Sequence, residues 1–425
     1  MKKYMNKQII VAALALFSTV GVQAQSGTNS PYSQYGIGVL SDQSQGFSRG
    51  MNGVGLALRK GNIANTLNPA SYSAADSLTM LFDVALSGQI TNFKEGNRRM
   101  NVNNADLEYA VGCFRLLPKV GASFGILPYS NVGYEYTTTQ KLNETLGSVP
   151  IEMSGSGGLH QAFVGVGWNV VKPLSLGVNV AYLWGTLDRS LESGSTVYVD
   201  DFDRTYTANV NSYLITLGAQ WEQPISTTDR LTLGMTLGLG HKLRSNVEIE
   251  NGDSIVFSDV YGLELPMTYG LGLGWTHSDN LFVGADFTLQ KWGSVGFPGT
   301  VQQGTQKVYA LRKDLLKDRY AINIGADYVP DPTSRRSFIN RVHYRFGLGY
   351  ATPYYYINGQ EGPKEFSVSA GFGIPLQNAY NNRSVLNVSA QWVHTSAKDL
   401  ITENTFRINL GLTFNERWFA KWKVD

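Results

Sequence analysis

Residues 78–90 read LTMLFDVALSGQI, and apolar and polar side chains alternate along them. Successive side chains of a strand point to opposite faces, so one face here is apolar and the other carries Asp83, Ser87 and Gln89. A period of two predicts a strand that lies between two different environments. The same alternation recurs near residues 174–185, 267–275 and 406–414. The chain is therefore predicted to be an all-β protein.

The polar faces of these segments carry mostly Gly, Asn, Ser and Thr. A soluble β-sandwich would place Lys and Glu on its solvent face. Small uncharged side chains instead suit a crowded lumen, and strands of about ten alternating residues are typical of outer-membrane barrels. On the apolar faces, Trp168, Trp221, Trp275 and Tyr328 each lie near a short turn, which predicts an aromatic girdle at one membrane interface.

The connections between strands are predicted to alternate in length. Short turns are indicated near residues 118–119, 172–173, 222–230, 277–280, 330–340 and 377–383. Longer polar loops are indicated over residues 91–105, 141–157, 187–205, 247–261, 294–317, 356–363 and 398–402. Short periplasmic turns and long outer loops are typical of outer-membrane barrels. The pattern predicts a transmembrane antiparallel β-barrel of about 14 strands.

The chain divides into four predicted segments. Residues 1–24 combine three lysines with an apolar run that ends near Ala24, which predicts a secretory signal peptide cleaved there. Residues 25–76 lack alternation and are predicted to form an N-terminal hatch, or plug, inside the barrel. Residues 77–414 are predicted to be the barrel, and residues 415–425 a periplasmic C-terminal tail. We expect such a protein in the outer membrane of a Gram-negative cell, as a multi-pass protein in contact with outer-membrane lipid.

Two local features stand out. Asn68 and Pro69 form a good N-cap followed by proline at the first helical position, which predicts a short helix over residues 69–75. Pro128 lies within the third predicted strand, where it removes a backbone donor. A proline there indicates either a lateral opening in the barrel wall or a bulge near its rim.

Several other classes of function are not supported by the sequence. The formal net charge of +2 and the lack of a basic patch argue against nucleic-acid binding. The five histidines have no ligand spacing, so neither a metal nor a cofactor is predicted. Residues 121–125, GASFG, match a nucleophile-elbow pattern around Ser123, but they lie in an alternating strand rather than at a strand-to-helix turn. No catalytic residue is predicted, and the protein is not expected to be an enzyme.

These features together resemble the FadL/TodX (OMPP1) family of outer-membrane transporters, as a Bacteroidetes-like member. The resemblance rests on Asn68, Pro69 and Ala70 before the barrel and on Pro128 in the third strand. It implies passive uptake of a hydrophobic or amphiphilic, fatty-acid-like molecule, which binds above the hatch and leaves sideways at the kinked strand. Candidate ligand contacts on the inward register are Leu81, Phe114, Phe163, Leu183, Phe282, Trp292 and Arg345.

A second hypothesis belongs to a different class. Some barrels that resemble this family, the PorV-like ones, do not transport and instead act as scaffold or partner subunits of an outer-membrane secretion or assembly complex. The tyrosine-rich residues 350–359, YATPYYYING, and the aromatic, basic tail around Trp418 and Trp422 suit contacts with an outer-membrane protein partner. The sequence leaves both hypotheses open.

Overall fold

The computed structural model describes residues 27–143, 147–193, 203–278, 280–304, 306–334, 336–376 and 384–416. The predicted signal peptide and residues 417–425 of the predicted tail lie outside these ranges. Within them, no helix is both long and apolar enough to cross a membrane.

Fourteen antiparallel strands form the wall of a closed barrel. They are β1 (Met80–Glu95), β2 (Arg98–Leu117), β3 (Val120–Asn143), β4 (Gly147–Val171), β5 (Leu174–Ser193), β6 (Arg204–Pro224), β7 (Asp229–Gly238), β8 (Thr268–His277), β9 (Leu281–Gln290), β10 (Arg319–Tyr328), β11 (His343–Ala351), β12 (Lys364–Leu376), β13 (Ser384–Ser396) and β14 (Thr402–Glu416). Each strand pairs with the next, and β1 pairs with β14 from Met80↔Glu416 to Lys94↔Thr402. The predicted fold class and strand number are confirmed, and β14 extends two residues beyond the predicted end of the barrel at residue 414.

The outer connections hold more strand than the sequence suggests. The loop predicted over residues 91–105 is wrong, because β1 and β2 continue through it and turn only at residues 96–97. Strands β3 and β4 contain 24 and 25 residues, whereas about ten are enough to cross the hydrocarbon core. Beyond the membrane the outer face of a strand meets water instead of lipid. Polarity then stops alternating, and an extended strand has the composition of a loop.

Short hairpins occupy three of the other predicted loops. One pairs Val247–Asn251 with Ser254–Asp259, a second pairs Phe297–Gln303 with Gln306–Arg312, and the third pairs Tyr356–Ile357 with Gln360–Glu361. At the opposite end of the barrel the predicted short turns are present wherever that part of the chain is described. Trp168, Trp221, Trp275 and Tyr328 are exposed on the outer face near these turns, which confirms the predicted girdle.

Residues 27–76, here called the N-terminal segment, lie inside the barrel. The segment contains 3₁₀ helices at Pro31–Gln34 and Pro69–Ala74, a two-residue strand at Val39–Leu40 and one helical turn at Gly46–Arg49. The predicted helix is therefore present as a 3₁₀ helix. Asn68 caps it, because its side chain accepts a hydrogen bond from the backbone N–H of Ala70 at 3.1 Å.

The N-terminal segment fits because the strands present glycine at several points where its backbone approaches the wall most closely. A Cβ atom added at Gly177 would lie 2.4 Å from the carbonyl carbon of Pro69 and 2.5 Å from the nitrogen of Ala70. Similar additions at Gly121, Gly234 and Gly347 would lie 1.8, 2.0 and 2.3 Å from backbone atoms of Tyr72, Leu56 and Met51. We call these inward-facing glycines, on four different strands, the glycine contacts. They leave room for the backbone of the segment and for nothing larger.

Gly177→Ala tests the glycine contacts. The new methyl group would collide with backbone atoms that cannot rotate away, and we expect a loss of stability of about 1–3 kcal/mol. The measurement is the temperature at which the purified barrel loses its heat-modifiable gel mobility, together with the rate at which protease cleaves the N-terminal segment.

Gly88→Ala is the matched control, since Gly88 lies on the exposed face of β1 and an added Cβ would meet no atom within 4 Å. Equal stability and equal protease resistance in the two variants would contradict the role assigned to the glycine contacts.

Candidate ligand cavity and lateral seam

The wall of the barrel is interrupted between β2 and β3. Their ladder runs from Leu117↔Val120 to Ala110↔Ile126 and ends there. Beyond that point, residues 98–109 of β2 pair only with β1 within the described chain. Residues 127–143 of β3 pair with β4 and, at two positions, with the N-terminal segment. We call the space between residues 98–109 and 127–143 the seam.

Pro128 lies at the start of the seam. The register between β3 and β4 shifts between Pro128 and Ser130, so a bulge is present, as one of the two predicted alternatives required. The carbonyl oxygen of Pro128 faces the seam, where it accepts a hydrogen bond from Nε2 of Gln43 at 2.8 Å. The N–H and C=O of one strand residue share a side, so the donor that proline lacks faces the seam. A proline is tolerated at such an edge because no strand pairs with it there.

Residues 39–43, here called the seam segment, cover part of the β3 edge of the seam from within. Val39 and Leu40 pair antiparallel with Asn131 and Ser130, and the N–H of Ser41 donates to the carbonyl of Tyr129 at 3.0 Å. The edge of β3 therefore recovers part of the backbone pairing that it loses where β2 departs. The seam segment thus adds a short strand to the edge of β3 from the interior of the barrel.

A cavity of about 540 Å³ lies behind the seam segment. Its floor includes Asn52 and Leu56 of the N-terminal segment. The wall formed by β3 to β6 is mainly apolar and contributes Leu127, Tyr129, Phe163, Ala181 and Leu214. The wall formed by β1, β2, β13 and β14 is polar and contributes Ser87, Gln89, Glu108, Gln391, Glu403 and Arg407. The seam lies between β2 and β3, where the polar and apolar walls meet.

An apolar cluster packs above the cavity. It joins the outer parts of β3 to β6 to the hairpins and to Tyr32 and Ile37 of the N-terminal segment. Trp292 is fully buried at its centre, with its ring 4.8 Å from the ring of Tyr354. The outer end of the barrel is therefore packed with side chains on the side of β3 to β6.

Buried charges fix the N-terminal segment below the cavity. Arg49 lies 2.9 Å from Glu108 of β2, and Lys60 lies 3.1 Å from Asp327 of β10. Arg345 donates to Asp327 from Nε at 3.0 Å, and its guanidinium group stacks 4.0 Å above the ring of Phe47. Removing either partner of such a buried pair leaves an uncompensated charge, which costs about 3–5 kcal/mol.

The seven predicted ligand contacts lie in different parts of the structure. Phe163 lines the cavity. Leu81, Phe282 and Arg345 instead pack against the N-terminal segment below it. Leu183 and Trp292 belong to the apolar cluster above it.

The predicted inward position of Phe114 is wrong, because this side chain lies on the outer face. It is opposite Met80 and Ala122, while its neighbour Cys113 is buried in the lumen. A β-bulge near residue 108 places Glu108 and Tyr109 both inward, and this reverses the faces of the rest of β2.

Asn68, Pro69 and Ala70 lie below the cavity, not in its wall. Nδ2 of Asn68 donates to the carbonyl oxygens of Leu56 at 2.8 Å and Ala219 at 3.1 Å, which links the N-terminal segment to itself and to β6. The sequence did not indicate the seam segment or Glu403 of the polar wall. The local pattern that could have indicated the seam segment is an apolar pair, Val39 and Leu40, between Gly36 and Gly38 on one side and a polar stretch on the other.

Comparison with protein families gives a match over nearly the whole chain. The model of the BamG family matches residues 5–425. The chain belongs to the BamG family. No curated protein sequence matches this BamG-family chain significantly.

Solved structures show the same fold. The toluene transporter TbuX of Ralstonia pickettii is similar with a TM-score of 0.57 and 15% identity, over 88% of this chain and 98% of that one. The toluene transporter TodX of Pseudomonas putida gives 0.57 and 15%, over 90% and 100%. A FadL homologue of Pseudomonas aeruginosa gives 0.54 and 13%, over 88% and 99%. The BamG-family chain thus has the FadL-type outer-membrane barrel, and these similar structures are transport proteins rather than enzymes.

Proposed function

We propose that the protein is an outer-membrane channel for passive uptake of hydrophobic or amphiphilic small molecules. The signal peptide would be removed near Ala24, and the N-terminal segment would act as the hatch. Cargo would occupy the cavity and leave sideways through the seam. One observation carries this proposal: the seam segment lines the cavity and also pairs with the free edge of β3, so one short piece of chain separates the two.

The contacts favour a lateral route over an axial one. An axial route would have to move the hatch past the glycine contacts and separate the buried pairs of Arg49 and Lys60. A lateral route has to break the pairing of residues 39–41 and the hydrogen bond of Gln43. Each such hydrogen bond contributes about 0.5–1.5 kcal/mol net, so transient opening of the seam costs a few kcal/mol. TodX and TbuX, which share the fold, are toluene transporters, and this supports a hydrophobic cargo.

Locking the seam tests the lateral route. Leu40→Cys with Ser130→Cys, in a Cys113→Ala background, places two thiols at directly opposed positions of the short ladder. Vesicles with lipopolysaccharide in the outer leaflet are suitable, because hydrophobic molecules cross plain phospholipid bilayers unaided. We expect oxidation to lower 1-octanol uptake by roughly tenfold or more, and reduction to restore it, since a lateral path crosses this ladder.

Val178→Cys with Leu217→Cys is the matched control, because this pair joins β5 to β6 within an intact part of the wall. Uptake in the control should not depend on oxidation. Full uptake by the locked seam variant would show that cargo does not leave through the seam.

A scaffold role is the second candidate, and the tall side of the barrel favours it. Strands β3 to β6 continue well beyond the membrane, and the adjoining hairpin exposes Ile255, Val256, Val260 and Tyr261. Exposed apolar groups at a rim suit a protein partner.

A photo-crosslinker at residue 255 in whole cells tests the scaffold role. A stoichiometric adduct with one outer-membrane protein, lost when the label is moved to exposed Lys94 on the other side of the barrel, would support a scaffold. Absence of any adduct at residue 255 would count against it.

A further inference from the structure

We propose that the cavity selects amphiphiles whose head group is cationic, such as an alkylammonium ion, and disfavours fatty carboxylates. This inference rests on the proposed function and deepens it, because it names the class of cargo. It also differs from the fatty-acid-like cargo that the family resemblance implies. The argument uses the charges that line the cavity, the position of two carboxylates, and one buried oxygen without a partner.

The cavity carries more acidic than basic side chains. Six carboxylates line it: Asp42, Asp106, Glu108, Asp286, Glu365 and Glu403. Arg319 and Arg407 also line it, and Arg49 beneath it pairs with Glu108. Six acids against three arginines leave an excess of three formal negative charges. An anionic head group would meet repulsion here, whereas a cation would offset charge that the described residues leave uncompensated.

Two of these carboxylates flank one position on the polar wall. Glu365 of β12 lies opposite Thr395 of β13, and Thr395 lies opposite Glu403 of β14, so the three residues form one row across adjacent strands. Neighbouring strands are about 4.8 Å apart, which places the two glutamate backbones about 10 Å apart. All three residues line the cavity. An ammonium group between the carboxylates could donate to both and to the threonine hydroxyl.

The row has no cationic partner in the part of the chain that the structure describes. Glu403 is 7% exposed, and Oε1 accepts a hydrogen bond from the hydroxyl of Ser30 at 2.6 Å. Neither Glu365 nor Glu403 forms an ion pair with a described residue. Burying a carboxylate without a counter-charge costs several kcal/mol, so a cationic ligand at this row would stabilise the occupied protein.

A buried acceptor on another part of the wall supports the same chemistry. Asp286 is 5% exposed and lines the cavity. Oδ2 accepts from the backbone N–H groups of Gly55 and Leu56 at 2.7 and 2.9 Å, whereas Oδ1 has no protein partner among the described residues. A carboxylate oxygen accepts hydrogen bonds, so a complementary ligand brings donors.

The opposite wall provides a place for the tail. Leu127, Phe163 and Leu214 line the cavity from β3, β4 and β6, and Leu127 lies next to the seam. A single-chain amphiphile would put its head on the row of Glu365, Thr395 and Glu403 and its tail towards the seam. The tail would then be the first part to enter the bilayer when the seam segment moves. Its burial in lipid would favour release.

The test compares three eight-carbon ligands that differ only in head group: n-octylammonium, 1-octanol and octanoate. Equilibrium dialysis against the full chain in nanodiscs gives the affinities, and the lipopolysaccharide vesicles give the uptake rates. We expect octylammonium to bind at least about tenfold more tightly than octanoate, with octanol between them. Equal affinities, or tighter binding of octanoate, would overturn this inference. Uptake of octanol in the same experiment would still support the channel function. If none of the three bound or crossed, both proposals would fail.

Glu365→Gln with Glu403→Gln removes the two charges and keeps the hydrogen-bonding capacity and shape of the side chains. We expect this variant to lose most of the octylammonium preference and to keep the octanol affinity. Glu248→Gln with Glu250→Gln is the matched control, since these glutamates are exposed on an outer hairpin and the same two charges are removed. An unchanged preference in the cavity variant, or an equal loss in the control, would contradict the assigned site.

Discussion

The contact between the backbone of the N-terminal segment and the inward-facing glycines of the wall is the constraint on which the rest of the structure depends. At Gly177 and Gly234 the strand and the segment approach so closely that even a methyl group would collide with backbone atoms. Protein interiors packed at this density do not deform gradually. Residues 51–72 of the segment are therefore held at one depth, and the cavity lies above them.

The polarity of the interior follows from the same arrangement. A chain of 50 residues inside a barrel brings backbone groups and charges that need partners, and the strands supply them from their polar faces. Arg49 and Lys60 are neutralised by Glu108 and Asp327. Beside the cavity the segment supplies uncharged groups instead: Ser30 donates to Glu403 of β14, and Asn52 donates to Ser367 of β12. That difference is what gives the cavity its acidic side.

The sequence predicts the local part of this structure well. Alternation identifies the strands, and the N-cap at Asn68 identifies the 3₁₀ helix, because both depend on neighbouring residues alone. The side on which Phe114 lies could not be predicted, since one bulge near Glu108 reverses the faces of β2. The seam could not be predicted either. The seam begins where the pairing between β2 and β3 ends. Residues 39–41, which cover part of it, pair with a strand about 90 positions away in the chain.

The central claim is that cargo leaves through the seam while the floor of the cavity stays closed. Hydrogen exchange of the protein in nanodiscs, with and without n-octylammonium or 1-octanol, tests this claim most directly. We predict that ligand speeds exchange at residues 39–43 and 129–133, whereas residues 69–75 and the β5–β6 ladder stay protected. Faster exchange at residues 69–75, with no change at the seam, would contradict the account, because it would show that the floor opens and the wall does not.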